Sequence, residues 1–164
     1  MPIVRVDKDL DNHTMTVVAE YDAPVERVWQ LYADPRQLER VWGPPTWPAT
    51  VVDHDLSPGG RVTYFMTGPD GERSAGYWHV LQVEPPRRFV VDDGFADETG
   101  QPNPEMPTTR MELELAQRGD GGTTMTVVST FASTAAMTQM LEMGMEDGMR
   151  EAMGQIDGVL AESG

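Results

Sequence analysis

From Thr109 onward the chain alternates apolar and polar side chains with period two. Met111, Leu113 and Leu115 fall on one face and Arg110, Glu112 and Glu114 on the other, the pattern of an antiparallel strand with one wet side. Residues 123–131 repeat it, with Met125, Val127, Ser129 and Phe131 sharing a face. Upstream, 14–21 is rich in Thr and Val and predicts a first strand. Further strands are expected at 49–55, 61–67, 75–83 and 87–92. They are separated by the turn-forming runs Ser57-Pro-Gly-Gly60, Gly68-Pro-Asp-Gly71 and Glu84-Pro-Pro86. The polar, proline-rich segment 93–108 is expected to be a loop, with Phe95 and Met106 tucked inward.

Helical spacing appears twice. In Asp22-Ala-Pro-Val-Glu26, Asp22 or Ala23 is placed to cap a helix and Pro24 to occupy its first position. Val25, Val28, Trp29 and Tyr32 form its apolar face, and Asp34-Pro35 starts a second short helix with Leu38 and Val41 inward. The proline-stiffened loop Trp42-Gly-Pro-Pro-Thr-Trp47-Pro48 is expected to close one end of the core with its two indoles. The second helical stretch runs from Ser133, a good N-cap, to about Glu162. Its inward side splits into a bulky ridge (Met137, Leu141, Met145, Met149, Met153) and, after Met140, a row of small residues (Gly144, Gly148, Ala152). Each interior glycine costs a helix about 1 kcal/mol relative to alanine, so packing must support it. Either the glycines admit a close neighbour, or soft methionines and missing side chains border a cavity for an apolar guest. The element order implies an α+β architecture, an antiparallel sheet wrapped around the C-terminal helix, in one domain spanning 1–164 with its core at 14–162.

Composition narrows the partners. The 164 residues carry a formal charge of −15, which disfavours nucleic acid and anionic membrane surfaces. There are no cysteines, which excludes disulfides, thiolate metal sites and cysteine nucleophiles. The N-terminus lacks a basic flank followed by an apolar core, and no apolar run approaches membrane-spanning length, so a cytoplasmic location without membrane insertion is expected. Asn12-His13-Thr14 fits a glycosylation sequon, which has no meaning without secretion.

Catalytic patterns are sparse. His79 and Tyr77 share a strand face with Leu81 and Val83, which places an imidazole and a phenol inward, where they could act as general acid and base. The consecutive Asp53, His54 and Asp55 point to alternate sides of a strand and cannot converge on one metal without a bulge. Ser129 lacks a nucleophile elbow, and Gly59-Gly60 lacks the lysine and helix of a phosphate-binding loop. No catalytic set, metal or cofactor is assigned. The apolar set is stronger: Phe65, Tyr77, His79, Met111, Leu113, Met125, Val127, Ser129, Leu141, Met145, Met149 and Met153 are expected to line a space between sheet and helix.

Several segments together resemble the START-like (SRPBCC) helix-grip superfamily: Asp22-Ala-Pro-Val-Glu-Arg-Val-Trp29, Val41-Trp-Gly-Pro-Pro45, Asp55-Leu-Ser-Pro-Gly-Gly60, Gly68-Pro-Asp-Gly71, Val83-Glu-Pro-Pro-Arg-Arg-Phe89 and the closing helix. The nearest branch is the one related to the activator of the ninety-kilodalton heat-shock protein's ATPase. The resemblance covers about 14–162 and implies a curved antiparallel sheet gripping a long C-terminal helix around an apolar cavity. That branch often carries a Gly-Trp pair where this chain has Gly144-Met145 and Gly148-Met149. Three functions follow as expectations. The first is binding of a small hydrophobic molecule, lipid or aromatic, without catalysis. The second is a co-chaperone-like role in the stress response, with a chaperone docking on the Trp42–Trp47 loop. The third is a cyclase- or hydrolase-like enzyme using His79 and Tyr77. A monomer or a homodimer suits each.

Overall fold

The computed structural model describes residues 3–162. Eight antiparallel strands form one sheet: β1 (Ile3–Asp9), β2 (Thr14–Tyr21), β3 (Ala49–His54), β4 (Arg61–Thr67), β5 (Arg73–Glu84), β6 (Arg88–Ala96), β7 (Thr109–Gln117) and β8 (Thr123–Phe131). Their order is β1-β2-β8-β7-β6-β5-β4-β3. Between β2 and β3 lie helices α1 (Val25–Ala33) and α2 (Pro35–Trp42), and three helical segments follow β8: α3 (Thr134–Glu142), α4 (Met145–Met153) and α5 (Ile156–Glu162). The sheet curves around this C-terminal stretch in an α+β helix-grip fold.

The central strands follow their alternation residue by residue. Met15, Val17, Ala19 and Tyr21 of β2 are buried, and so are Met111, Leu113 and Leu115 of β7 and Met125, Val127, Ser129 and Phe131 of β8. Register stacks them into rows, Val17 beside Val127 beside Leu113 beside Phe89. Phe89 is the hub of the aromatic core. Its ring lies 5.9 Å from Trp29, 5.7 Å from Tyr32 and 5.5 Å from Trp78, which stacks on it. The Trp29 and Tyr32 contacts dock α1 on the middle of the sheet, each worth about 0.5–1.5 kcal/mol beyond burial.

Helix α2 covers the far edge. Arg36 donates to the Val51 carbonyl (3.0 Å), and the Glu39 carboxylate accepts from the Val51 amide (2.8 Å). Both outward backbone groups of an edge-strand residue are thus satisfied, which blunts pairing with another chain. The His54 imidazole sits 2.8 Å from the Tyr32 carbonyl and ties β3 to α1.

Four expectations are corrected. Strand β1 went unpredicted because it is a mostly exposed edge with little apolar pattern. Strand β6 continues to Ala96, four residues into the segment expected as a loop. The cap of α1 is Pro24 itself, with no side-chain hydrogen bond from Asp22 or Ala23, whereas Asp34 caps α2 by accepting from the Arg36 amide (2.9 Å).

The fourth concerns the C-terminal stretch. Ser133 caps α3 through the Ala136 amide (3.0 Å) as expected, but the helical run is broken at Gly144, whose φ of +89° is left-handed. Beyond the adjacent residues and the helix's own backbone, no atom lies within 4 Å of the position a Cβ would take at Gly144 or Gly148. These glycines therefore admit no close neighbour; they border open space.

Opposite effects are expected at the two glycines. Gly148→Ala meets nothing and should stabilise the fold by about 1 kcal/mol through helix propensity. Gly144→Ala is forced into left-handed backbone and should destabilise it by about 1 kcal/mol. Urea denaturation of both variants checks this; a destabilised Gly148→Ala would mean that the row packs closely after all.

Candidate functional site: a cavity with one acidic pole

The broken C-terminal stretch leaves a cavity of about 460 Å³ between α4 and the concave face of the sheet, within the range of small-molecule sites. Its wall combines Met111, Leu113 and Val127 from the central strands with Met145, Met149 and Met153 from α4. Gly144, Gly148 and Ala152 form the thin part of the α4 side. Trp42, Pro44 and Trp47 close one end. The Trp42 ring packs edge-on to Trp78 (4.9 Å) and Tyr64 (5.8 Å). The two indoles of the 42–48 loop are half-buried and line the cavity, in keeping with a loop that closes one end of the core. Met143, at the break between α3 and α4, is 54% exposed and also lines the cavity, which therefore reaches the surface there.

The polar feature is Asp93, which sequence reasoning missed. It lies on β6 in the inward row Phe89, Val91, Asp93, Phe95, and both Asp93 and Phe95 line the cavity. The Tyr64 hydroxyl donates to its carboxylate at 2.9 Å. That bond spans β5, and it exists because the residue between is glycine. A Cβ on Gly76 would fall 2.5 Å from the Tyr64 hydroxyl oxygen. Desolvation behind the apolar wall pushes the Asp93 carboxyl up to about 7, against the opposing pull of the Tyr64 hydrogen bond. Burial, then the neighbouring Asp93 charge, pushes the Tyr64 phenol up as well. The Trp42 indole N–H is buried without a full hydrogen bond, yet it lies near enough to the Tyr64 oxygen to favour the ionised phenol. Tyr32, also in the wall, directs its hydroxyl at the Met125 sulfur (3.6 Å).

The residues expected at the site divide into three groups. Met111, Leu113, Val127, Met145, Met149 and Met153 border the cavity. Met125, Ser129 and Leu141 pack in or against the core without reaching it.

Phe65, Tyr77 and His79 are on the opposite, convex face. Tyr77 lies beneath the Arg61 guanidinium (5.7 Å), Phe65 beneath that of Arg73 (4.3 Å), and His79 is exposed. The cause is a bulge. Val80 pairs with Val91 and Gln82 with Val90, so Leu81 is an extra residue that reverses the alternation of β5. Val83 faces the core after the bulge, whereas Trp78 and Val80 do so before it. On β4, Tyr64 and Met66 take the inward face in place of Phe65. The signal that could have found Asp93 is the alternation Phe89-Val91-Asp93-Phe95, which runs through the acidic pair without interruption.

Comparison with known proteins places this geometry. The family model described as Activator of Hsp90 ATPase homolog 1-like protein matches residues 22–161. The chain belongs to that family. It is similar to the crystal structure of protein Ms6760 from Mycobacterium smegmatis, with 55% identity over 97% of both chains and a TM-score of 0.89. A solution structure from Arthrobacter aurescens is 51% identical over 97% of this chain and 92% of that one, with a TM-score of 0.91. One from Staphylococcus epidermidis is 26% identical over 98% and 95%, with a TM-score of 0.84. No curated protein matches the chain. Among the described residues, no helix is long and apolar enough to cross a membrane.

A pH dependence of stability follows from Asp93. Its folded pKa is raised from 3.8 to about 7, so the native state holds a proton that the unfolded chain gives up. The contribution is fully present below about pH 4, is lost as pH rises to about 7 at up to about 1.4 kcal/mol per unit, and is flat above. Asp93→Asn, which keeps an acceptor for Tyr64, should abolish that slope and be the more stable protein at about pH 8. Denaturant midpoints across this window check it; parallel curves for the two proteins would contradict the raised carboxyl.

Proposed function

We propose that this protein binds a small, mainly apolar molecule in the cavity under α4, with the chain acting as one binding domain whose core is residues 14–162 and without catalysis. The observation that carries the reading is the cavity itself: about 460 Å³, walled by methionine, aliphatic and aromatic side chains, with a single acidic group at one place. Apolar walls supply affinity in proportion to buried area, and adaptable methionines tolerate different shapes. The family's Gly-Trp pair bears on the same space. An indole at Met145 or Met149 would take up part of it, so methionine at both positions keeps the cavity open.

The other expectations have less support. A chaperone partner is favoured by the family description alone; the half-buried Trp42 and Trp47 of the loop expected to dock it also line the cavity. The enzymatic reading relied on an inward His79 and Tyr77, and both are on the convex face.

Prodan, a neutral polarity-sensitive naphthalene dye, should bind one per chain with a blue-shifted emission. Met149→Trp should weaken it by about tenfold or more, equivalent to roughly 1.4 kcal/mol, while circular dichroism shows an unchanged fold. If neither Prodan nor any neutral lipid or aromatic in a native mass spectrometry panel binds the folded protein, the proposal fails.

A further inference from the structure

The acidic pole limits which apolar molecules suit the cavity. Among the described residues the Tyr64 hydroxyl is the hydrogen-bond donor to Asp93, on one carboxylate oxygen; the other oxygen has no partner there and is not sealed in the protein interior. Because Asp93 itself lines the cavity, that oxygen is an acceptor available to a guest. The neighbouring donors are already directed elsewhere, Tyr64 to Asp93 and the Trp42 N–H toward Tyr64. The Ser74 hydroxyl and the Trp47 indole also line the cavity, and among the described residues neither donates to Asp93, so its second oxygen is left for a donor on the guest.

The surroundings determine the kind of donor. Among the described residues, no Lys, Arg or His lines the cavity, and Asp93 is its one acidic residue. Five of its residues are aromatic (Tyr32, Trp42, Trp47, Tyr64 and Phe95), the side chains whose ring quadrupoles attract cations. A carboxylate or phosphate on the guest would meet Asp93 with no counter-charge, inside a chain of net charge −15. A neutral hydroxyl could donate, but a charge-assisted hydrogen bond is about twice as strong.

We propose that the cavity takes a lipophilic molecule bearing a protonated amine, whose N–H donates to the free oxygen of the Asp93 carboxylate while its apolar body fills the space under α4. The inference rests on the ligand-binding reading above and names the chemistry of that ligand. No bond is made or broken: the amine keeps its proton, and any proton on Asp93 leaves to solvent when the ion pair forms. The other groups around Asp93 do not titrate in the relevant range or face away from it. The Tyr64 phenol on β4 is held well above its usual range. Thr109 across on β7 is neutral, and α4 contributes only Met145, Gly148, Met149, Ala152 and Met153 to the wall. Asp92, on the opposite face, is engaged with Arg110 (2.9 Å). Binding is therefore linked to the ionisation of Asp93, and affinity rises by up to about tenfold per pH unit toward pH 7 and then levels.

The test uses three matched probes on the full chain: naphthylethylamine, naphthylethanol and naphthylacetate, followed by isothermal titration calorimetry between about pH 5 and about pH 8. The expected result at the upper end is an amine affinity at least about tenfold above that of the alcohol, with the acetate weakest. Asp93→Asn should bring amine and alcohol to parity and remove the pH dependence, while alcohol binding persists. Tyr64→Phe, which withdraws the hydrogen bond that favours ionised Asp93, should keep the amine preference but move its pH midpoint upward. An alcohol that binds as well as the amine, or an amine preference that survives Asp93→Asn, overturns the amine assignment and leaves the cavity reading standing. Failure of all three probes overturns both.

Discussion

A curved sheet presents a broad concave face, and a helix laid across it can fill that face only if its side chains are long enough everywhere along the contact. Here they are not. Three helical segments replace one uninterrupted rod, the break falls at a left-handed glycine, and the row beside the methionine ridge carries hydrogen atoms where side chains would stand. The ends of the stretch pack well: Met137 near the start of α3 and Ile156 at the start of α5 are fully buried. The middle does not close, and the cavity is what remains. A void of this size forfeits contacts its lining would otherwise make. The aromatic cluster around Phe89, packed where α1 meets the sheet and sharing Tyr32 with the cavity wall, supplies stability beside the unfilled space.

The acidic pole follows the same logic of residues left small. A carboxyl facing apolar surroundings is costly when ionised, and a fold reduces that cost by protonation or by a donor. Asp93 has both available: burial lifts its titration toward neutrality, and Tyr64 reaches it across the bare backbone of Gly76. The glycine is as much part of the pair as the phenol. Strand β5 thus carries a second absence that shapes the site, as Gly144 and Gly148 do on the helical side.

How much of this was legible in the sequence depended on whether period two held. In β7 and β8 it holds across the core, and the inward residues were named correctly from the pattern; β2 alternates as well, though there the sequence reading went no further than a strand rich in Thr and Val. In β5 the single extra residue Leu81 reverses it, so Leu81 and Val83 pointed to the wrong face for Tyr77 and His79. A bulge leaves no signature in composition. Strand β1 was invisible for the opposite reason, an exposed edge having little burial to record. Asp93 was missed because an acidic pair ahead of a proline-rich segment resembles a loop; the strand continues through it because its backbone still finds partners on β5 and β7. The methionine and glycine rows of the C-terminal stretch were visible, but whether they enclosed a neighbour or a void was a matter of three-dimensional distance.

Family membership establishes the architecture and leaves the guest open, because one fold hosts many sites. The central claim is that the space under α4 is a binding site, and the methionines provide reporters inside and outside it. In a spectrum of methyl-labelled methionines titrated with a neutral naphthalene ligand, Met66, Met111, Met149 and Met153 border the cavity, whereas Met15, Met125 and Met137 are buried away from it. The account predicts saturable shifts in the first group with the second group still. Shifts confined to the exposed Met143, or spread evenly over all methionines, would contradict it.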